Sequence, residues 1–297
     1  MPEPPASAPS VTAASRCLDC GADRLGNYCH DCGQHHRDDR LTLRSIWRDF
    51  AERFLKWERG LPATARLAVL DPGRLAREYV GGRRRRYLNP VSFLILGSTV
   101  AVLLIPIYAS PERMQDQIEA GGGLGDPEAQ FNMGYQLGGG DPTELSDEER
   151  AEIIARSTEL QTEFVPTYVE TVGQLYSVFS VVLAFAFAGF LKLFFSGRRQ
   201  SDTFAETLVL GFFFAGAYAG ISAVVASVVA LAGGSVNAGL VATVGLLVAG
   251  AAWAAAGFYG RGWGNVALGA LSGALAFVVY TVGVLVIALP IVVLKML

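Results

Sequence analysis

Charge is scarce in this 297-residue chain: 17% of its residues are Asp, Glu, Lys or Arg, against about 25% in a soluble domain. Hydrophobic residues make up 52%, and the mean hydropathy is +0.36. This balance excludes an ordinary soluble enzyme and a wholly disordered chain. The four cysteines lie within 16 residues, which argues against a secreted disulfide scaffold. A polytopic membrane protein with a small polar head remains.

Five apolar runs are long enough to cross a bilayer as helices, which takes about 20 residues each. They are residues 91–109, 173–195, 204–232, 236–258 and 265–294. The predicted fold is therefore an all-α polytopic membrane protein with about five transmembrane helices. Residues 1–16, which hold four prolines, are predicted to be a disordered tail.

Charge is distributed unevenly along the chain. Residues 1–90 carry 16 basic and 11 acidic groups, and residues 110–172 carry 3 basic and 14 acidic groups. Basic residues near span ends mark the cytoplasmic side. With five spans, three basic sites fall on one side: the arginine run at 83–86, Arg198 with Arg199, and Arg261.

We therefore expect a multi-pass protein of the inner (plasma) membrane with a cytoplasmic N-terminus and an exoplasmic C-terminus. The acidic loop at 110–172 is then exoplasmic. The favoured interpretation of this loop is a solvated connector with one surface helix at about 144–168, whose first turn is acidic. The alternative is a cap that binds a ligand or attracts cations.

All four cysteines belong to two Cys-x-x-Cys pairs, each followed by glycine: Cys17 with Cys20, and Cys29 with Cys32. Four thiolates in this spacing suit a tetrahedral structural Zn²⁺ site. The sequence predicts a zinc ribbon at residues 17–36, with disulfides as the alternative. A Cys₃His site using one of the three nearby histidines is the less favoured metal site.

Two features of residues 41–90 point to the membrane surface. Over 41–59, apolar and aromatic residues recur at helical spacing and basic residues take the other positions. This pattern predicts an amphipathic helix that is interfacial, or is packed on the spans or on a partner. Four arginines, Arg83, Arg84, Arg85 and Arg86, directly precede the first span. They anchor the topology, bind anionic phospholipid headgroups, or do both. Nucleic-acid binding is the weaker interpretation, because the patch is short.

A set of short motifs connects these regions. The motifs are Cys-x-x-Cys-Gly, Tyr28 to Gln34, Thr64, Pro72-Gly73, Arg77-Glu78-Tyr79, Gly82 to Tyr87 and Asn89-Pro90. The pattern resembles the bacterial membrane proteins grouped as domain of unknown function 3667, over about residues 17–105. The resemblance implies an inner-membrane protein with a cytosolic zinc ribbon and carries no activity or catalytic residues with it.

Lys192 and Glu206 are the only charged residues within the predicted spans, and they flank the short loop between the second and third spans. At 1.5 Å of rise per residue they reach similar depths. An intramembrane ion pair would lower the energy of both charges, and snorkelling to the headgroups is the alternative. Gly216 with Gly220, and Gly269 with Gly273, predict closely packed helices.

Three classes of function remain. The favoured one is a scaffold, assembly or regulatory protein whose zinc ribbon binds a cytosolic partner and whose basic edge binds anionic lipid. The alternative is a small-molecule or lipid transporter that uses the five-helix bundle, although no inverted repeat is evident. An enzyme is least favoured, because no catalytic motif is present. The sequence leaves the oligomeric state open.

Overall fold

The structure, a computed structural model, describes residues 16–17, 19–23, 28–34, 42, 60–110, 113, 131–132, 135–136, 140, 145–196 and 203–296, with the side chains of 157–163 and 236 excepted. The predicted tail up to residue 15, all but one residue of the helix at 41–59, and most of the acidic loop lie outside this set. So do His35, His36, Arg198 and Arg199.

Seven helices make up the described fold. Two are short: α1 (Leu61–Leu70) and α2 (Pro72–Val80). Five are long: α3 (Pro90–Tyr108), α4 (Asp147–Phe195), α5 (Phe204–Leu231), α6 (Val236–Tyr259) and α7 (Trp263–Met296). Each long helix contains a segment apolar enough to cross a membrane. The all-α fold with five candidate spans is confirmed.

One helix differs from its prediction. The sequence separates a solvated helix at about 144–168 from a span at 173–195, whereas α4 runs without a break through its 49 residues. Ser146 and Glu149 form a capping box at its start, and the only proline inside it is Pro166. Since no glycine interrupts residues 147–172, the acidic first half continues directly into the apolar half.

Helix α5 is the centre of the bundle: 72% of its apolar window is buried, compared with 17–44% for the other spans. Its aromatic rings pack on three neighbouring helices. Phe213 lies 5.9 Å from Phe93 of α3 and 5.6 Å from Tyr79 of α2, between ring centroids. Phe214 lies 4.6 Å from Phe187 of α4. The short helix α2 is thus part of the bundle core.

The glycine pairs lie where helices cross, as predicted. A Cβ added to Gly97 would lie 2.0 Å from the carbonyl oxygen of Gly216, so α3 and α5 meet backbone to backbone. A Cβ added to Gly269 would lie 2.5 Å from an alanine Cβ of α6, and one added to Gly273 would lie 2.4 Å from another. Small residues allow this close approach.

The two ends of the bundle are distinct. At one end, called the ribbon end, the rings of Phe195 and Tyr259 stack 4.0 Å apart and Asp71 pairs with Arg261 at 3.1 Å. At the other end, the Lys295 ammonium donates to Thr171 at 3.2 Å. The arginine run and Arg261 therefore lie at the same end, as the five-span prediction requires.

Candidate metal centre and basic face

The ribbon, residues 16–34, is built from two similar turns. In each turn the N–H of a glycine donates to the carbonyl of the cysteine four residues earlier: Gly21 to Cys17 at 2.9 Å, and Gly33 to Cys29 at 2.7 Å. Both glycines have positive φ, +81° and +64°, a conformation that side chains disfavour. The glycine after each pair therefore lets the chain fold back around the sulfurs.

These turns bring the four predicted ligands together. The Sγ atoms of Cys17, Cys20, Cys29 and Cys32 all lie within 4.8 Å of one another. Two of the separations are 3.6 Å and 3.5 Å, and none of the four is in a disulfide. Tetrahedral sulfur ligands at about 2.3 Å from a metal would be about 3.8 Å apart. The group therefore fits a metal ion.

The thiols of the second turn differ in acidity. The backbone N–H of Cys32 stabilises the Cys29 thiolate and lowers the pKa of Cys29 to about 6. Burial disfavours the Cys32 thiolate and raises the pKa of Cys32 to about 12. Since a metal takes cysteine as thiolate, binding at this site must release the proton of Cys32.

The histidines are not part of this cluster as far as the structure describes them. The His30 ring is 51% exposed and lies 3.3 Å from Asp31, and the group of potential ligands consists of the four cysteines alone. Among the described residues, this favours Cys₄ over Cys₃His.

The second turn of the ribbon rests on the chain that leads into the first span. We call that segment, residues 81–89, the arginine loop. The Gln34 amide donates to the carbonyl of Gly82. A Cβ added to Gly33 would lie 2.2 Å from Nη1 of Arg85, so this guanidinium lies directly against the turn. The cysteine cluster and the arginines therefore belong to one surface.

The four arginines occupy different surroundings within the arginine loop. Arg83, Arg85 and Arg86 are exposed and Arg84 is half-buried. Arg83 lies 3.3 Å from the Glu78 carboxylate, and Arg85 contacts the ribbon. The run thus presents positive charge at the ribbon end while two of its members also tie the loop to its neighbours.

Glu78 connects α2 to the arginine loop. The sequence motif that contains Glu78 did not indicate this role. Its carboxylate accepts from Arg74 at 2.8 Å and from the buried Tyr87 hydroxyl at 2.5 Å. Burial alone would raise the pKa of Glu78, but these hydrogen bonds outweigh it and lower the pKa. Burial raises the pKa of Tyr87 to about 12. Glu78 is therefore ionised and Tyr87 is neutral at physiological pH.

We expect Glu78→Ala to lower the free energy of unfolding by about 1–3 kcal/mol, because the buried Tyr87 hydroxyl loses its acceptor. The stabilisation should be fully present above pH 4.5, the ordinary carboxyl pKa, and be lost as pH falls through the lowered folded-state pKa. Thermal unfolding in detergent at several pH values measures both effects. Glu170→Ala is the control, since Glu170 is 65% exposed; equal losses in both variants would contradict the prediction.

Thr64 and Asn89 order the entry to the first span. Thr64 is fully buried, donates to the carbonyl of Gly60 at 2.7 Å and accepts from the N–H of Leu88 at 2.8 Å. Asn89 caps α3 by accepting from the N–H of Val91 at 2.9 Å. These two motif positions therefore determine how the arginine loop meets the bundle.

The Asp71-Pro72-Gly73 turn is held against α6, a contact that links distant parts of the chain. A Cβ added to Gly73 would lie 2.3 Å from the carbonyl oxygen of Ala254. The Asp71 carboxylate caps α2 and pairs with Arg261. The guanidinium of Arg261 lies 5.2 Å from the Trp253 ring centroid. No local sequence signal indicates that these residues meet.

Lys192 lies in the last turn of α4, and Glu206 lies in the first turn of α5. Glu206 is 6% exposed, and its carboxylate accepts from the Thr203 N–H at 2.7 Å, completing a capping box. The Thr-x-x-Glu spacing at 203–206 is the signal for that role. An ion pair between Lys192 and Glu206 stays a prediction.

Comparison with known proteins places the motifs in context. Residues 58–102 match the model of a family described as protein of unknown function (DUF3667). No curated protein and no solved structure matches the chain. The matched stretch contains α1, α2, the arginine loop and the start of α3, and the cysteine ribbon lies before it. Over residues 58–102, the match confirms the family resemblance predicted from the motifs.

Proposed function

We propose that this chain is a membrane scaffold or regulatory protein whose ribbon end binds anionic phospholipid headgroups and a cytosolic protein partner. The observation that carries the proposal is the contact between the ribbon and the arginine loop, through Gln34 with Gly82 and Gly33 with Arg85. Because of this contact, the metal site orders the surface that presents the arginines.

Zn²⁺ is the ion we propose for the cysteine cluster. Four sulfur ligands in a tetrahedral arrangement are typical of structural zinc. In a reducing cytosol these cysteines stay as thiols, and the positive-inside rule supports a cytoplasmic ribbon end, because Arg83, Arg84, Arg85, Arg86 and Arg261 lie there. The role we propose for the ion is to order the ribbon.

Transport through the bundle is less well supported. A transporter that used the charges of Lys192 and Glu206 to bind its substrate would need a polar cavity that reaches these two residues. One cavity that the described residues form, at the other end of the bundle, has neither of them in its lining. The geometric support for the scaffold is the contact between the ribbon and the arginine loop.

The test compares lipids and proteins that remain bound after purification in mild detergent. In Arg83→Gln/Arg86→Gln we expect the ratio of anionic to zwitterionic phospholipid to fall roughly thirtyfold, because each arginine contributes about 1 kcal/mol. The control is Arg150→Gln/Arg156→Gln, which removes two charges from α4. A specific protein partner should be lost from Cys17→Ser/Cys20→Ser but kept by His30→Asn.

Two outcomes would contradict the proposal. One is an equal fall in bound anionic lipid in both double arginine variants, which would leave the arginine loop without a special role. The other is an identical set of bound lipids and proteins in wild type and in Cys17→Ser/Cys20→Ser, which would separate the metal site from the surface it is proposed to order.

A further inference from the structure

A cavity of about 270 Å³ lies at the end of the bundle opposite the ribbon. All five long helices contribute to its lining, and so does the turn between α5 and α6. It follows α5 from Ala230, beside that turn, to Tyr218 in the middle of the helix, a length of about 18 Å at 1.5 Å per residue. The cavity is therefore narrow and elongated, and it begins at the end of the bundle.

Tyrosines supply half of the polar side chains in its lining. Tyr108, Tyr176, Tyr218 and Tyr280 come from four different helices and line the same cavity. Tyr176 faces the Ser222 hydroxyl and Tyr218 faces the Thr243 hydroxyl. Alanine, valine, leucine and phenylalanine side chains form much of the remaining wall. The interior thus combines apolar walls with phenol groups that donate hydrogen bonds.

Arg113 lies at the mouth. Its Nη1 donates to the carbonyl oxygen of Ala230 at 2.6 Å, next to the C-terminal end of α5. This bond uses one of the five N–H donors of a guanidinium and fixes the position of the charge. No aspartate or glutamate is among the described residues that line the cavity, so the charge of this lining is positive.

We infer that the cavity binds a single-chain amphiphile with an anionic head, a carboxylate or a phosphate. The head would lie at Arg113, which binds either group strongly, and the chain would extend between the helices towards Tyr218. At about 270 Å³ the cavity lies just below the usual range of about 300–1,000 Å³ for ligand pockets. It is therefore too small for a whole two-chain phospholipid and suits one alkyl chain. Aromatic cages also bind quaternary ammonium groups, but the Arg113 charge repels such a cation.

The inference is independent of the proposed function, because it rests on residues at the opposite end of the bundle. The wild-type test uses protein in nanodiscs of zwitterionic phosphatidylcholine, with cis-parinaric acid as the fluorescent fatty-acid probe. Laurate, dodecyl phosphate and dodecanol compete for it; they share one chain length and differ in the head. We expect laurate or dodecyl phosphate to displace the probe at a concentration at least tenfold lower than dodecanol does.

The two anionic competitors distinguish a carboxylate from a phosphate head, and either preference supports the inference. Equal or stronger displacement by dodecanol would overturn it. So would the absence of saturable probe binding above that of empty nanodiscs. This comparison needs no variant and does not depend on how any substitution affects folding.

Two variants then locate the binding. Ala226→Phe places a ring inside the cavity and should abolish probe binding, whereas Val286→Phe, at a 66% exposed position on α7, should leave it unchanged. Arg113→Gln should raise the dissociation constant for laurate about tenfold and leave that for dodecanol unaltered, with Arg156→Gln as the charge control. Unchanged binding in Ala226→Phe, or an unchanged preference for laurate in Arg113→Gln, would overturn the inference.

Discussion

Purified wild-type protein is expected to carry one metal ion per chain, and the Cys29→Ser variant is expected to carry none. A serine hydroxyl is a poor substitute for a thiolate, and three sulfurs do not close a tetrahedral shell. Structural zinc in small peptides contributes about 10–16 kcal/mol of apparent binding free energy at pH 7. Within the described part of the ribbon, only Cys17, Cys29 and Gln34 are buried, so little besides the metal would keep it folded.

Metal content is measured by mass spectrometry of the purified protein, and the order of the ribbon by limited proteolysis at residues 16–34. His30→Asn is the matched control, because His30 neighbours Cys29 but is exposed and outside the ligand group. The bundle itself should keep its thermal stability in both variants, since its large hydrophobic core begins at Ala68. A metal-free wild type, or full metal content in Cys29→Ser, would contradict the prediction.

Gly97→Val is expected to destabilise the bundle more than any other substitution discussed for the spans. The added Cβ would lie 2.0 Å from the Gly216 carbonyl oxygen, and the atom in the way is backbone, so no side chain can rotate aside. The two helices would have to separate, and overpacking of this kind costs about 1–3 kcal/mol or more. Thermal unfolding in detergent should show a clear drop in midpoint.

Gly189→Val is the control for this substitution. Gly189 lies in the apolar part of α4, and nothing is within 4 Å of a Cβ added there. The same change of residue should therefore leave the midpoint close to that of the wild type. Equal destabilisation at both positions would show that the loss comes from replacing a helical glycine and not from the crossing of α3 and α5.

The features that were predictable from the sequence are those encoded locally. The five spans follow from long apolar runs, and the cysteine cluster follows from two Cys-x-x-Cys-Gly repeats. The glycine pairs at 216 and 220 and at 269 and 273 mark helix crossings because only small residues permit them. Each of these signals lies within one segment of the chain and can be recognised without knowing which other segment packs against it.

The features that were missed depend on contacts between different elements of the fold. Asp71 and Arg261 meet across 190 positions, and Tyr87 reaches Glu78 across a turn. The tyrosine cavity forms only where five helices converge, and the sequence of one helix does not indicate its neighbours. The continuous α4 was missed for the opposite reason: the change from acidic to apolar residues resembles a boundary, although helical hydrogen bonding is indifferent to that change.

The position of α2 has a consequence for how the chain is made. Its buried side chains, among them Leu75 and Tyr79, pack against α5 and α6. Just before it, the carbonyl of Leu70 at the end of α1 accepts a hydrogen bond from Trp253, which lies 183 residues later in the chain. At about 5–20 residues per second of synthesis, the apolar face of α2 stays uncovered for roughly 10–40 seconds. Completion of α6 is thus the step that closes the ribbon end, and a nascent chain interrupted before it would display that face to water, as a substrate for chaperones and proteases.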